Sequence, residues 1–255
     1  MTAHLGCRDL TVRFGGVVAC SGLTLSVEQG QIVALIGPNG AGKTTLFNVF
    51  SRLQRQDGGH VLLRDETIDN RRPHEMATLG MARTFQNVNL FADLTTQDNI
   101  LVGAHRLTYS VAASLFGLPR VWRRERGLLS HVREIAAMLR LEDVLYNPVG
   151  DLPYGYQKRV ELARALAAQP ELILLDEPVA GCNEEETAEL KLLIHRINKE
   201  QKITVLLVEH NMSMVMDIAD YIYVINFGAN LAQGTPAEVR GNPAVIAAYL
   251  GDDSP

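Results

Sequence analysis

The run GPNGAGKTT, Gly37 to Thr45, constrains this chain more than any other stretch. It fits the pattern G-x-x-x-x-G-K-[ST]. The apolar run QIVALI before it reads as a strand, and KTTLFNVFSRL after its glycines reads as a helix. Strand, glycine loop and helix in that order form the setting in which such a loop cradles phosphate. Gly37, Pro38, Asn39, Gly40, Ala41 and Gly42 make the loop; Lys43, Thr44 and Thr45 open the helix. The glycines let the backbone wrap an anion without Cβ clashes. The loop N–H groups and the helix N-terminus supply donors and partial positive charge. Lys43 is placed to reach the β- and γ-phosphates of a nucleotide, and the Thr44 hydroxyl to bind Mg²⁺.

The rest of the chain suits an α/β core. Strand-like runs with Gly turns, CRDLTVRFGG and VVACSGLTLSV, precede the loop, and GHVLLRDETI reads as one further strand. After Pro170 strand and helix alternate: ELILLDEP, EEETAELKLLIHRINKE, ITVLLVEH, NMSMVMDIA, YIYVINFG. Such alternation argues a parallel sheet covered by helices. The block from about residue 71 to the YGYQ helix reads instead as an inserted helical subdomain. Within it TTQDNILVGAHRL offers Thr95 as a helix cap with Asp98 three residues on. RRERGLLSHVREIAAMLRL has helical apolar spacing, and YGYQKRVELARALAAQP forms a helix closed by Pro170.

Four acidic, amide or imidazole groups complete a candidate hydrolytic site. LILLDEP ends a buried strand at Asp176, where a carboxylate holds Mg²⁺ through its water shell. Glu177 follows and is suited to take a proton from an attacking water. His210, just past TVLLV, is suited to orient a γ-phosphate or share a proton. Gln86, at the end of ARTFQ, is suited to bind Mg²⁺ or position water. Each residue alone reads as well as an ordinary strand end, cap or surface group.

Their order resembles the ATP-binding subunit of ABC transporters, and the likeness covers nearly the whole chain. The segments that carry it are RTFQNVNLF, LPYGYQKRVELARALA, LLDEPVAGCNEEET, VEHNMSMVMDIADYIYVINFG and GTPAEVRGNPAVIAAYLGD. The sequence is most similar to the LivG type of branched-chain amino acid importers, Asn183 and Tyr154 included. The resemblance implies a P-loop NTPase core of the ABC ATPase type, α/β, with an N-terminal antiparallel β layer. Residues 1–255 would form a single ATP-binding domain with a helical subdomain, about 71–160, inserted. It implies ATP and Mg²⁺ as cofactors. Phe14 matches the aromatic residue that stacks on adenine, against the reading of a plain core Phe. Tyr154, Gly155 and Tyr156 match the helix start that meets the nucleotide of a second ATP-binding subunit. Integral permease subunits would dock on the helical block around residues 86–104, with a solute-binding protein engaged indirectly. The location implied is the cytoplasmic face of the inner membrane, peripheral through the permeases.

One departure stands out in LPYGYQ. Most relatives carry a serine and two glycines where this chain has Pro153, Tyr154 and Gly155. Pro153 donates no hydrogen bond, but proline suits a first helical turn. The N–H groups of Tyr154, Gly155 and Tyr156 would then stay free to face a phosphate, which makes the segment a working variant.

Composition narrows the alternatives. A formal net charge of −5 argues against a chain built to hold nucleic acid. Arg120, Arg123, Arg124 and Arg126 make a local basic cluster that reads as a solvated helix face. No apolar run reaches the ~18–20 residues a membrane span needs, and MTAHLGCRDL has no signal-peptide core. Cys7, Cys20 and Cys182 are too scattered for a disulfide or zinc framework. A P-loop kinase would leave the YGYQ helix and His210 unexplained. A DNA-repair type would carry a long coiled coil between Gln86 and Leu152. A translation factor would carry two such domains. Urea or another amide stays open as the transported solute.

Overall fold

The computed structural model of the protein describes residues 3–85, 89–104 and 119–250. Two sheets are stacked around the helix that follows the glycine loop. The first is antiparallel, in the order β2-β1-β4-β5, with β1 Ala3–Phe14, β2 Val17–Glu28, β4 Gly58–Leu63 and β5 Glu66–Thr67. The second has the order β10-β9-β3-β8-β7-β6, with β3 Ile32–Ile36, β6 Met81–Arg83, β7 Leu172–Asp176, β8 Thr204–Val208, β9 Tyr221–Asn226 and β10 Ala229–Gly234. It is parallel from β9 to β6, and β10 closes one edge antiparallel to β9.

The core strands explain why the sheet is central. Every residue of IVALI, LILLD and TVLLV is buried, as expected of parallel strands covered on both faces. Their side chains alternate between two cores. Ile32, Ala34, Ile36, Ile173, Leu175, Val205 and Leu207 meet the helices Pro119–Met138, Tyr154–Leu166 and Glu184–Gln201. Val33, Leu35, Leu172, Leu174, Leu206 and Val208 meet the antiparallel sheet and the helix Lys43–Phe50. That helix lies between the sheets with Leu46, Phe47, Val49 and Phe50 buried. Each such side chain contributes about 1.5–3 kcal/mol by leaving water, so the glycine loop is welded to both layers. Burial also pushes the Cys7 and Cys20 thiols up to about 12 and about 11, so both stay protonated.

Three sequence expectations change. GHVLLRDETI is two strands, β4 and β5, paired Leu63 to Glu66 across Arg64 and Asp65. Both turn residues have positive φ, 52° and 63°, the geometry a two-residue hairpin requires, here without the usual Asn-Gly signal. The block read as helical contributes β6, which pairs parallel with β7 at Met81–Leu172. The YGYQ helix begins at Tyr154 and ends at Leu166, and Pro153 is its N-cap residue rather than part of its first turn. Thr95 caps its helix as expected, accepting from the Asp98 N–H at 3.1 Å.

Among the described residues no helix is long and apolar enough to cross a membrane.

Candidate functional site

The adjacent strands β3, β8 and β7 all end at one edge, and the candidate residues follow them there. Parallel sheets present ligands at this edge because each strand passes into a loop or helix start. Past β3 the chain turns at Gly37, whose φ is 154°. A Cβ there would lie 2.1 Å from the Ile225 carbonyl oxygen. At Gly42, φ 102°, it would lie 2.4 Å from the Ala19 oxygen. Only glycine fits either place. Gly42 is the N-cap of the helix Lys43–Phe50 and has no side-chain cap, which leaves the first N–H groups to an anion.

Lys43 is buried, and its Nζ donates to the Gly37 oxygen at 2.6 Å and the Pro38 oxygen at 2.8 Å. The ammonium is thus folded back along its own loop. Burial lowers its pKa, opposed by the nearby Glu177 carboxylate. Thr44 is exposed at the loop and Thr45 half-buried.

Asp176, at the end of β7, is 4% exposed. Its Oδ2 accepts from Arg83 at 2.9 Å. Arg83 ends β6 and also donates to Asn48 Oδ1 at 2.9 Å and Ser51 Oγ at 2.7 Å. Its guanidinium lies over the rings of Phe47 and Phe85. One buried arginine therefore ties the acidic strand end to the helix of the glycine loop.

Glu177 has φ 48°, a left-handed conformation for a side chain with Cβ, which costs about 1–3 kcal/mol. Its N–H donates to the Val208 oxygen at 2.9 Å. Its Oε1 lies 3.0 Å from His210 Nε2. The two residues come from different strands, so the sequence alone could not pair them. Glu209, between Val208 and His210, is 3% exposed. Its carboxylate accepts three backbone N–H groups, from Val179 at 3.0 Å, His210 at 3.1 Å and Asn211 at 3.3 Å. Burial pushes this carboxyl up, and the three hydrogen bonds oppose it.

Phe14 ends β1, before a turn at Gly15, and is 49% exposed. It is no core residue, so the plainer reading fails and an aromatic face is left to solvent. Gln86 lies outside the described residues. Just before it, the Phe85 N–H donates at 3.2 Å to Glu161 Oε1, a buried carboxylate of the YGYQ helix.

The YGYQ helix departs from expectation at its start. Of its first three N–H groups two are engaged. Tyr156 donates to the Pro153 oxygen at 3.0 Å, closing the first turn. Gly155 donates to Glu186 Oε1 at 3.2 Å. Glu186 belongs to the capping box of the helix Glu184–Gln201, where its Oε2 accepts from the Asn183 N–H. Glycine is needed at 155 for that contact, since a Cβ would sit 2.5 Å from Glu186 Oε1.

Sequence reasoning missed Arg83, Glu209 and Glu186. Each is a charged residue beside a motif, with a partner 30 or more positions away. The buried sequence context of Glu209, directly after TVLLV, was the one available signal.

The residues present suit a nucleotide with Mg²⁺. Mg²⁺ keeps several waters and binds through one or two carboxylates plus substrate phosphates. A single strand-end carboxylate and a hydroxyl, Asp176 and Thr44, are that donor set. A dense ligand cage is not required, and none of three or more His, Cys, Asp or Glu occurs among the described residues.

Comparison with known proteins agrees with this geometry. Residues 20–180 match the ABC transporter family model, and residues 229–254 match the model of the branched-chain amino acid ATP-binding cassette transporter. The chain is 46% identical over 244 residues to BraF of Pseudomonas aeruginosa, a high-affinity branched-chain amino acid transport ATP-binding protein, with 95% of this chain and 96% of that protein covered. It is 41% identical over 249 residues to LivG of Escherichia coli K12, described in the same words, with 97% and 98% covered. It also superposes on the ADP conformation of MJ1267, an ATP-binding cassette of an ABC transporter, with a TM-score of 0.86 and 30% identity. That match covers 98% of this chain and 99% of the other.

Proposed function

The chain belongs to the ABC transporter family and is an ATP-hydrolysing subunit with the α/β fold of its cassettes; from that premise we propose that it is the motor of an importer for branched-chain amino acids. The match of its C-terminal residues 229–254 to the branched-chain transporter model carries the choice of solute, together with the likeness to BraF and LivG. On this reading it works as one domain, residues 1–255, with the block at about 71–160 set into the core. It sits on the inner face of the membrane against permease subunits. It pairs with a second ATP-binding subunit, and a solute-binding protein feeds the permeases.

The roles follow from the chemistry. The loop from Gly37 to Gly42, with Lys43, Thr44 and Thr45, holds the ATP phosphates, and Phe14 stacks on the base. Mg²⁺, held by Thr44, Asp176 and Gln86, would neutralise charge on the β- and γ-phosphates. Glu177 takes the proton of the attacking water, and His210 keeps that carboxylate aimed while facing the γ-phosphate. The start of the YGYQ helix, at Tyr154, Gly155 and Tyr156, meets the nucleotide of the partner subunit.

Nucleotide binding by the Lys43→Ala protein tests the site. The lost charge-assisted hydrogen bonds are worth about 1.5–3 kcal/mol, so calorimetric titration should give roughly tenfold to hundredfold weaker MgATP binding. Undiminished binding would remove Lys43 from the site.

A further inference from the structure

Glu209 is a buried carboxylate to which the hydrolytic roles above give no task. Its surroundings form a closed ring. Between Glu177 and Val179 stands Pro178, which has no N–H. The two N–H donors of this segment both go to the end of β8, from Glu177 to the Val208 oxygen and from Val179 to Glu209 Oε1. The other oxygen of Glu209 accepts from His210 and Asn211. The side chains of His210 and Glu177 then meet at 3.0 Å and close the ring. Glu209 joins the backbone on both sides of that contact.

We infer that Glu209 is a positioning residue for hydrolysis, holding Glu177 and His210 in the register that aims the base, a role that presupposes Glu177 as that base. The backbone at Glu177 is strained, with φ 48°, and such conformations persist only where surrounding bonds over-determine them. Three N–H donors on one carboxylate supply that over-determination. An amide could not replace it in full, because Val179 N–H donates to one oxygen and His210 and Asn211 N–H to the other, whereas an amide has only one acceptor oxygen. Burial raises the Glu209 carboxyl. A carboxyl that ionises less readily folded than unfolded lowers stability at neutral pH through its charge. Its presence is explained by geometry at the site.

Glu209→Gln tests this, because its amide turns an NH₂ towards at least one of these N–H groups. Single-turnover hydrolysis of MgATP by the full chain should slow at least tenfold. The KM for ATP should stay within about twofold, since the phosphate loop is untouched. In a Glu177→Gln background, already slow, the added Glu209→Gln should cost nothing further, because residues that act as a unit are not additive. Wild-type kcat in Glu209→Gln, or an independent further loss in the double variant, would overturn the role while leaving Glu177 as the base. Wild-type kcat in Glu177→Gln would overturn both. Should the Gln variant fail to fold, amide exchange in the wild-type chain decides. The N–H groups of Val179, His210 and Asn211 should be protected together, and a Val179 amide exchanging at the unprotected rate would refute the ring.

Discussion

Glu186 Oε1 accepts the backbone N–H of Gly155 at 3.2 Å, so the YGYQ helix is capped by a carboxylate of its own chain. A phosphate presented by a partner subunit would compete with that carboxylate for the same N–H. The helix start is thus already an anion site, occupied from within. This also changes how Gly155 is to be tested. A side chain there meets Glu186 before it meets any nucleotide, so loss of activity in Gly155→Asp would not single out a phosphate contact.

The coupling itself is measurable without nucleotide. Glu186→Ala removes the reciprocal half of a capping box and should lower unfolding free energy by about 1 kcal/mol. Gly155→Ala should cost about 1 kcal/mol in the parent chain by displacing the Glu186 carboxylate and its hydrogen bond to this N–H. In the Glu186→Ala background most of that cost should vanish. Urea unfolding of the four proteins gives the answer, and additive effects would mean that the two residues are not in contact.

Arg83 and Asp176 make a second, deeper pair, with side chains 8% and 5% exposed. Breaking a buried ion pair from one side leaves an uncompensated charge and costs about 3–5 kcal/mol. Arg83→Met should therefore destabilise the chain by that order. Arg83→Met with Asp176→Asn should recover part of the loss, because the remaining polar group is neutral. Equal stability of the single and double variants in denaturant would contradict the pairing.

His4 sets an acid limit on stability. It is 3% exposed, and its Nδ1 lies 2.6 Å from the Thr204 hydroxyl. Burial lowers its pKa below the ordinary 6.5, helped by Arg64 and opposed by Glu171. The folded chain thus binds this proton less readily than the unfolded chain. Above pH 6.5 both forms are neutral there and nothing is lost. As pH falls below 6.5 the unfolded state takes the proton first and stability declines. His4→Gln should flatten the slope of unfolding free energy between about pH 6.5 and pH 5. An unchanged slope would show that His4 titrates normally.

The legible parts of the fold were those written locally. The glycine loop, the fully apolar runs of β3, β7 and β8, and the Thr95 cap each announce themselves within a few residues. The hairpin at Arg64–Asp65 did not, because two left-handed residues without glycine carry no turn signal. Strand β6 did not, since three residues pair only because β7 lies beside them. At the site the candidates Lys43, Asp176, Glu177 and His210 were readable as motif residues. What holds them was not. Arg83, Glu186 and Glu209 act across 93, 31 and 30 positions of sequence, and a charged residue next to a motif looks the same whether it is solvated or buried.

ATP hydrolysis at this site drives amino acid import, and uptake of leucine tests this most directly. The chain and its Glu177→Gln variant would each be assembled with permease subunits and a second ATP-binding subunit of a branched-chain amino acid importer, in vesicles supplied with the solute-binding protein and MgATP. Leucine should accumulate with the parent chain and should stop with Glu177→Gln, although that variant still binds MgATP. Accumulation at the parental rate with Glu177→Gln, or ATP-driven uptake of a different solute with leucine refused, would contradict it.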